Sequence, residues 1–398
     1  MTEQTKNTDI YARSLALHTQ YKGKLRVECP IPVNTMEDLS LVYSPGVAEP
    51  CREIQKNPDA LYEVTGKANL VAVITNGSAV LGLGNIGPAA SVPVMEGKCA
   101  LFKRFAGIDS IPIVVDARDV DTFVDTVARI ATTFGGINLE DIAAPECFEI
   151  ERRLQERLDI PVFHDDQHGT AVIALAALKN ALKVVGKKPE SVRLVVIGAG
   201  AAGTALSRYF LAGGIKNLVV CDKMGILRKD TPNLNAAMQE LAEMTNPEGL
   251  QGQLADALRG ADVVIGVSGP GVITPELVRS MNKDAIIIFA MANPTPEIFP
   301  DAAIEAGAAI VATGRSDYPN QVNNCLGFPG LFRGALDCRA TCINEAMKLA
   351  ASEALEFLVP ENELARDRIV PHTLDERVVP EVARRVAEAA RKTGVARI

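Results

Sequence analysis

Residues 192–203 constrain this chain more than any other stretch. The apolar run 192–197 leads directly into Gly198-Ala199-Gly200-Ala201-Ala202-Gly203, which opens a helix-forming segment, 201–211. A buried strand, a glycine turn and a helix in that order form half of a βαβ unit built to take a pyrophosphate. Gly198 permits the tight turn, Gly200 lets the backbone approach the phosphates, and Gly203 lets helix and strand pack closely. Ala201 and Ala202 start the helix, whose free N–H groups and positive dipole end face the anion. Asp222 ends the next apolar run, 24 residues after Gly198, where an acid accepts hydrogen bonds from an adenosine ribose. The alternative is a purely structural glycine turn. Strand, glycines, helix and acid together favour a nicotinamide or flavin dinucleotide.

The surrounding pattern extends the unit. Val/Ile-rich runs recur at 193–197, 218–221, 263–267, 286–290 and 308–312, with helical segments between several of them. Strands alternating with helices imply a Rossmann-like, doubly wound parallel sheet. Upstream, 70–75 and 111–116 read as buried strands, and 122–134 and 147–158 as amphipathic helices. A short apolar run at 160–163 stops at His164, and an Ala/Leu-rich helix at 170–185 connects the two halves. Downstream, 336–357 and 379–392 read as helices. The expected fold is α/β: an N-terminal α/β domain over 1–167, then a dinucleotide domain with C-terminal helices over 168–398. A second G-x-G-x-x-G, Gly82 to Gly87, has no comparable acid at a strand end about 20 residues on. It reads as a tight active-site turn in the first domain.

Composition narrows the function classes. With 41 basic and 49 acidic residues the chain carries a net charge of −8 and has no Lys/Arg block, which argues against nucleic acid. No continuous apolar run is long enough to span a bilayer, and residues 1–24 lack a signal-peptide core. The eight cysteines are scattered without a C-x-x-C pair and read as reduced thiols. A cytoplasmic protein is expected.

Two polar islands, 138–142 and 163–169, place Glu140, Asp141, Asp165 and Asp166 beside apolar segments. Such acids are costly unless paired, hydrogen-bonded or metal-bound. Oxygen donors suit Mg²⁺ or Mn²⁺; the alternative is capping or salt bridging, and His164 and His168 are weak candidates for zinc. Lys98, in Met95-Glu96-Gly97-Lys98, either snorkels to solvent or is buried; a buried lysine beside a cation can lose its proton near neutral pH and act as a general base. Tyr43 stands at a Pro-Gly turn, where the plain reading is a packing aromatic.

In combination these motifs resemble the short bacterial malic enzymes. The resemblance runs from about Tyr43 to Leu336 and rests on Tyr43-Ser44-Pro45-Gly46-Val47-Ala48, Leu81-Gly82-Leu83-Gly84-Asn85-Ile86-Gly87, M-E-G-K-x-x-L-F-K from Met95, Ile137-Asn138-Leu139-Glu140-Asp141-Ile142, F-H-D-D-Q-H-G-T from Phe163, the Gly198 turn and Asn293-Pro294-Thr295-Pro296-Glu297. It implies oxidative decarboxylation of L-malate to pyruvate and CO₂ with NAD, or NADP as a second cofactor, and Mg²⁺ or Mn²⁺. It implies Tyr43 as proton donor, Lys98 as proton acceptor with Asp165 beside it, and Glu140, Asp141 and Asp166 as metal ligands. Asn293 and Asn324 would contact substrate or nicotinamide, and the assembly would be a homodimer or larger. Where larger relatives carry an arginine for a malate carboxylate, this chain has Ala79, leaving Lys103, Arg315 and Arg333 as candidates. The chain would also lack the phosphotransacetylase-like extension of some relatives. A malolactic enzyme, giving lactate, and a non-catalytic dinucleotide-binding regulator are the alternatives.

Overall fold

The computed structural model describes residues 3–80, 82–283, 286–292 and 294–398. Among these residues two sheets form. The first contains β1 (Leu70–Thr75), β2 (Asp109–Val114), β3 (Gly136–Leu139) and β4 (Val162–His164), ordered β2-β1-β3-β4 and all parallel. The second contains β5 (Arg193–Ile197), β6 (Asn217–Asp222), β7 (Gly225–Ile226), β8 (Val263–Gly266), β9 (Ile286–Ala290) and β10 (Ala308–Thr313). Its order is β10-β9-β8-β5-β6-β7, parallel except for β7. Strand order reverses around β5, which lies between β6 and β8. In open α/β sheets the crevice outside such a strand's C-terminal end is where ligands bind.

The strands are short Val/Ile/Leu runs because helices cover both faces, so nearly every position is buried. The exception is β2, an edge strand whose residues are partly exposed rather than buried throughout. It begins at Asp109, two residues before the expected start.

Helix Asp165–Val185 joins the halves and begins at Asp165 rather than at 170, immediately after β4. It is long and apolar enough by composition to cross a membrane, but 67% of its apolar stretch is buried inside the protein. It packs against helices Ala201–Ala212 and Glu345–Phe357, and its alanines and leucines share one core with Val71 and Phe102 before it and Leu194 and Phe289 after it. The C-terminal segment folds back over the first sheet. Phe102 meets Phe328 and Phe332 edge-on, with ring centroids 4.7 and 5.2 Å apart.

The continuous helix expected over 336–357 is instead two helices, Phe328–Asp337 and Glu345–Phe357. Arg339 takes φ 44° in the break, and the Asn344 side chain caps the second helix on Met347 N–H.

Candidate active site

Three strand ends of the first sheet converge on one point. β3 runs into Glu140 and Asp141, β4 into Asp165 and Asp166, and the turn after β1 donates Ala79 N–H to the Asp141 carbonyl at 3.0 Å. Consecutive residues on a strand point to opposite faces. Asp141 escapes that rule by adopting φ 52°, a left-handed conformation unusual for a non-glycine residue and concentrated at functional sites. As a result, carboxylate oxygens of Glu140, Asp141 and Asp166 all lie within 4.8 Å of one another. Asp166 Oδ2 also accepts from the Asp141 N–H at 2.8 Å.

Lys98 projects from helix Gly87–Ala106 into this cluster and is only 8% exposed, so it does not snorkel. Its ammonium pairs with Glu140 at 2.9 Å and with Asp165, and lies 4.2 Å from the centre of the Phe328 ring. Asn324 donates to the same Asp165 oxygen at 2.6 Å, and Asn138 to Glu140 at 2.9 Å. Burial would strip the Lys98 proton, but the Asp165 and Glu140 charges outweigh burial and hold its pKa above the ordinary lysine value. Among these carboxylates alone Lys98 therefore stays an ammonium.

The acids are pushed the other way. Burial, with the Glu140 charge adding to it, raises Asp165 to about 7 against the pull of Lys98. Glu140 and Asp166 are also raised, by burial first and then by a neighbouring carboxylate, Asp166 for Glu140 and Asp165 for Asp166. Crowded, desolvated carboxylates of this kind fit a hard divalent cation.

The zinc alternative fails on geometry. His168 Nε2 is bound by both Glu151 oxygens, at 3.1 and 3.0 Å, and among the described residues the acidic trio is the only set with metal-site spacing. Glu151 was not singled out in the sequence. The available signal was its place on the buried stripe Cys147, Ile150, Glu151, Leu154 of helix Glu146–Arg157. Burial would raise its carboxyl, but His168 outweighs this and holds it at about 2. Burial also lowers His164, whose two ring nitrogens lack hydrogen-bond partners among the described residues, to about 4.

The glycine turn after β5 has the shape the sequence implied. Gly198 adopts φ 111°, and a Cβ there would lie 2.8 Å from the Val267 carbonyl oxygen; one on Gly203 would fall 1.8 Å from the Gly198 carbonyl oxygen. Gly200 has nothing within 4 Å of its Cβ direction, which leaves open space before Ala201 and Ala202 at the helix start. Asp222 ends β6, its Oδ1 accepting from the Lys223 N–H at 2.7 Å. The other glycine motif is a turn beside the acids, with Val80 bridged to Gly84 and Gly87 starting the Lys98 helix.

Tyr43 lies at the end of helix Met36–Val42 and is 69% exposed, with no hydrogen bond to the cluster among the described residues. Asn293 lies outside the described residues. Lys103 pairs with Asp109 and Arg333 with Asp337 and Asn69, at the N-terminal ends of β1 and β2, away from the carboxylates. Of the three candidates for a malate carboxylate, only Arg315 follows a strand's C-terminal end, that of β10; it pairs with Asp317.

A doubly wound dinucleotide sheet joined to a lysine–carboxylate centre defines an α/β oxidoreductase of the dehydrogenase kind. The malic enzyme N-terminal domain matches residues 22–155 and the malic enzyme NAD-binding domain residues 167–393. The bifunctional malic/malolactic enzyme of Bacillus subtilis is 55% identical over 97% of this chain and 94% of its own. The NAD-dependent malic enzyme of Geobacillus stearothermophilus is 53% identical (98% and 81%), and the NADP-dependent malic enzyme of Halomonas elongata 54% (94% and 92%). The crystal structure of malic enzyme from Pyrococcus horikoshii superimposes with a TM-score of 0.90 at 51% identity, covering 94% of this chain and 88% of that one. The chain belongs to the malic enzyme family.

Proposed function

We propose that this chain oxidatively decarboxylates L-malate to pyruvate and CO₂ while reducing NAD, with NADP a usable second cofactor. The observation that carries the reading is Lys98 held among Glu140, Asp165 and the metal-spaced trio, in a chain with a complete dinucleotide turn.

In this mechanism Gly198, Gly200 and Gly203 with the Ala201–Ala202 helix start seat the pyrophosphate, and Asp222 takes the ribose hydroxyls. The dinucleotide held there would supply the acceptor for the hydride from C2 of malate. Lys98 accepts the C2 hydroxyl proton, and Asp165, held by Asn324, orients the Lys98 nitrogen. Glu140, Asp141 and Asp166 would hold Mg²⁺ or Mn²⁺. That cation would supply Lewis-acid polarisation of the C2 oxygen and would offset the carboxylate charge that keeps Lys98 protonated. Lys98 can then cycle between amine and ammonium. Once CO₂ has left, Tyr43 donates a proton to C3 of the enolate and pyruvate results. By the family resemblance, Asn293 and Asn324 would contact substrate or nicotinamide.

A homodimer or larger assembly completes the site. Ile10, Tyr11, Leu15, Leu17, Tyr21 and Leu41 are all exposed on the arm that also carries Tyr43, and a second copy would cover them. The division at 167/168 separates the lysine–carboxylate half from the dinucleotide half. All eight cysteines are free, in keeping with a reducing, cytoplasmic setting.

Purified protein with L-malate, Mn²⁺ and NAD should form pyruvate, CO₂ and NADH in equal amounts. Accumulation of oxaloacetate would overturn the decarboxylase reading. Lactate without net NADH would instead establish the malolactic reaction, a second reading favoured by the Bacillus relative.

A further inference from the structure

We propose that Glu151 is the positioning residue for the junction carrying Asp165 and Asp166. This rests on the reading of Asp166 as a metal ligand.

β4 is the edge strand of its sheet, and the chain turns from strand to helix between His164 and Asp165 with no side-chain cap at His164. Glu151, on the neighbouring helix, closes that gap. Its Oε1 accepts the His164 backbone N–H at 2.9 Å, and its two oxygens take His168 Nε2 at 3.1 and 3.0 Å. One buried carboxylate therefore grips the residue before Asp165 and the residue two after Asp166, fixing the first helical turn from both sides.

Lys348 sets the polarity of the grip. Its ammonium has only hydrogens to offer, so the contact to His168 Nδ1 at 3.3 Å makes Nδ1 the acceptor and leaves the proton on Nε2, facing Glu151. Lys348 is anchored by Glu345 at 2.6 Å and comes from helix Glu345–Phe357, on the far side of helix Asp165–Val185. Two helices distant in sequence thus hold the acidic turn, with none of these side chains among the groups assigned to touch malate. Groups that orient ligands in this way typically change metal affinity about 10–100-fold when removed.

The test is Mn²⁺ binding to metal-free protein, followed by the electron paramagnetic resonance of free Mn²⁺, on wild type, Glu151→Gln, His168→Ala, His168→Gln and Asp166→Asn. Glu151→Gln and His168→Ala should weaken Mn²⁺ by at least about tenfold with NAD affinity unchanged, and should lower kcat more than they raise the malate KM. His168→Gln, which keeps a donor near the Nε2 position, should lie closer to wild type than His168→Ala; the reverse order would overturn the grip.

Folded variants whose Mn²⁺ affinity changes less than about threefold would make Glu151 a stability residue only. If Glu151→Gln does not fold, the half-buried His168→Ala decides alone. If Asp166→Asn weakens Mn²⁺ and neither Glu151→Gln nor His168→Ala does, the positioning role fails while the metal reading stands. If Asp166→Asn binds Mn²⁺ like wild type, the metal reading fails and the inference with it.

Discussion

Asn324 and Lys98 donate to the same oxygen of Asp165, Asn324 at 2.6 Å. Lys98 comes from a helix packed on the first sheet and Asn324 from the segment that follows the dinucleotide sheet, so Asp165 is the point where the two halves of the site are tied. Asn324→Ala should leave the Asp165–Lys98 pair less well held and reduce kcat by about 10–100-fold, as loss of an orienting group does. Asn324→Asp should be worse, because it sets a second carboxylate against Asp165. Steady-state kinetics in malate check both, and an Asp variant more active than the Ala variant would show that Asn324 does not act through Asp165.

The two proton-transfer roles separate in a similar experiment. Lys98→Ala leaves the malate hydroxyl proton without an acceptor and should abolish oxidation. Tyr43→Phe removes one acid–base group and should slow turnover by about 10²–10⁴-fold. It should also slow exchange of the pyruvate methyl protons with solvent, which reports proton transfer at C3. Both variants should retain NAD and Mn²⁺ affinity, and wild-type turnover in either would remove its assigned role.

Much of this organisation was legible because it is local. The β5 and β9 boundaries coincide with their apolar runs, and the glycine turn carries its own steric reasons. Less local features escaped. The helix after β4 was expected to start at 170 because its first turn is polar and holds Gly169. Yet Gly169 is there for packing, since a Cβ would lie 1.9 Å from Asp165 Oδ1. β7 is two residues long and carries no periodicity. The protonation of Lys98 depends on partners 42 and 67 positions away, a distance over which burial alone predicts the wrong direction. Glu151 is an ordinary acid in an amphipathic helix until the fold sets His168 against it.

Acid titration of the metal-free protein should reveal the opposed buried groups. Asp165 rises to about 7 on folding, so between pH 7 and its unfolded value of 3.8 the folded state holds more protons and stability increases as pH falls. His164 falls to about 4 from 6.5, so across that window the unfolded chain takes up the proton first and stability decreases as pH falls. The His164 contribution amounts to about 3 kcal/mol over the window. Urea unfolding in chelator from pH 7 to 4 should therefore respond oppositely to two variants. His164→Phe should make stability climb more steeply on acidification, and Asp165→Asn should make it fall. Parallel pH profiles for wild type and both variants would show that neither group carries the linkage.

The cofactor preference turns on the hairpin after β6. Asp222 pairs with Gly225 across the Lys223–Met224 turn, so the acid is held at the strand end where a ribose arrives. A carboxylate there accepts from a free 2′-hydroxyl and repels a 2′-phosphate. Met224, two positions on and 40% exposed, offers no positive charge. Arg228, the nearest guanidinium along the chain, is paired with Asp230 at 3.0 Å. NAD should accordingly give the higher kcat/KM. Asp222→Ser with Met224→Lys removes the repulsion and adds a phosphate partner, and should move the ratio towards NADP. A wild-type preference for NADP above about tenfold, worth about 1.4 kcal/mol, would mean that Arg228 leaves Asp230 for the phosphate or that another base governs the pocket. Arg228→Ala would then distinguish the two, since only in the first case does it abolish that preference.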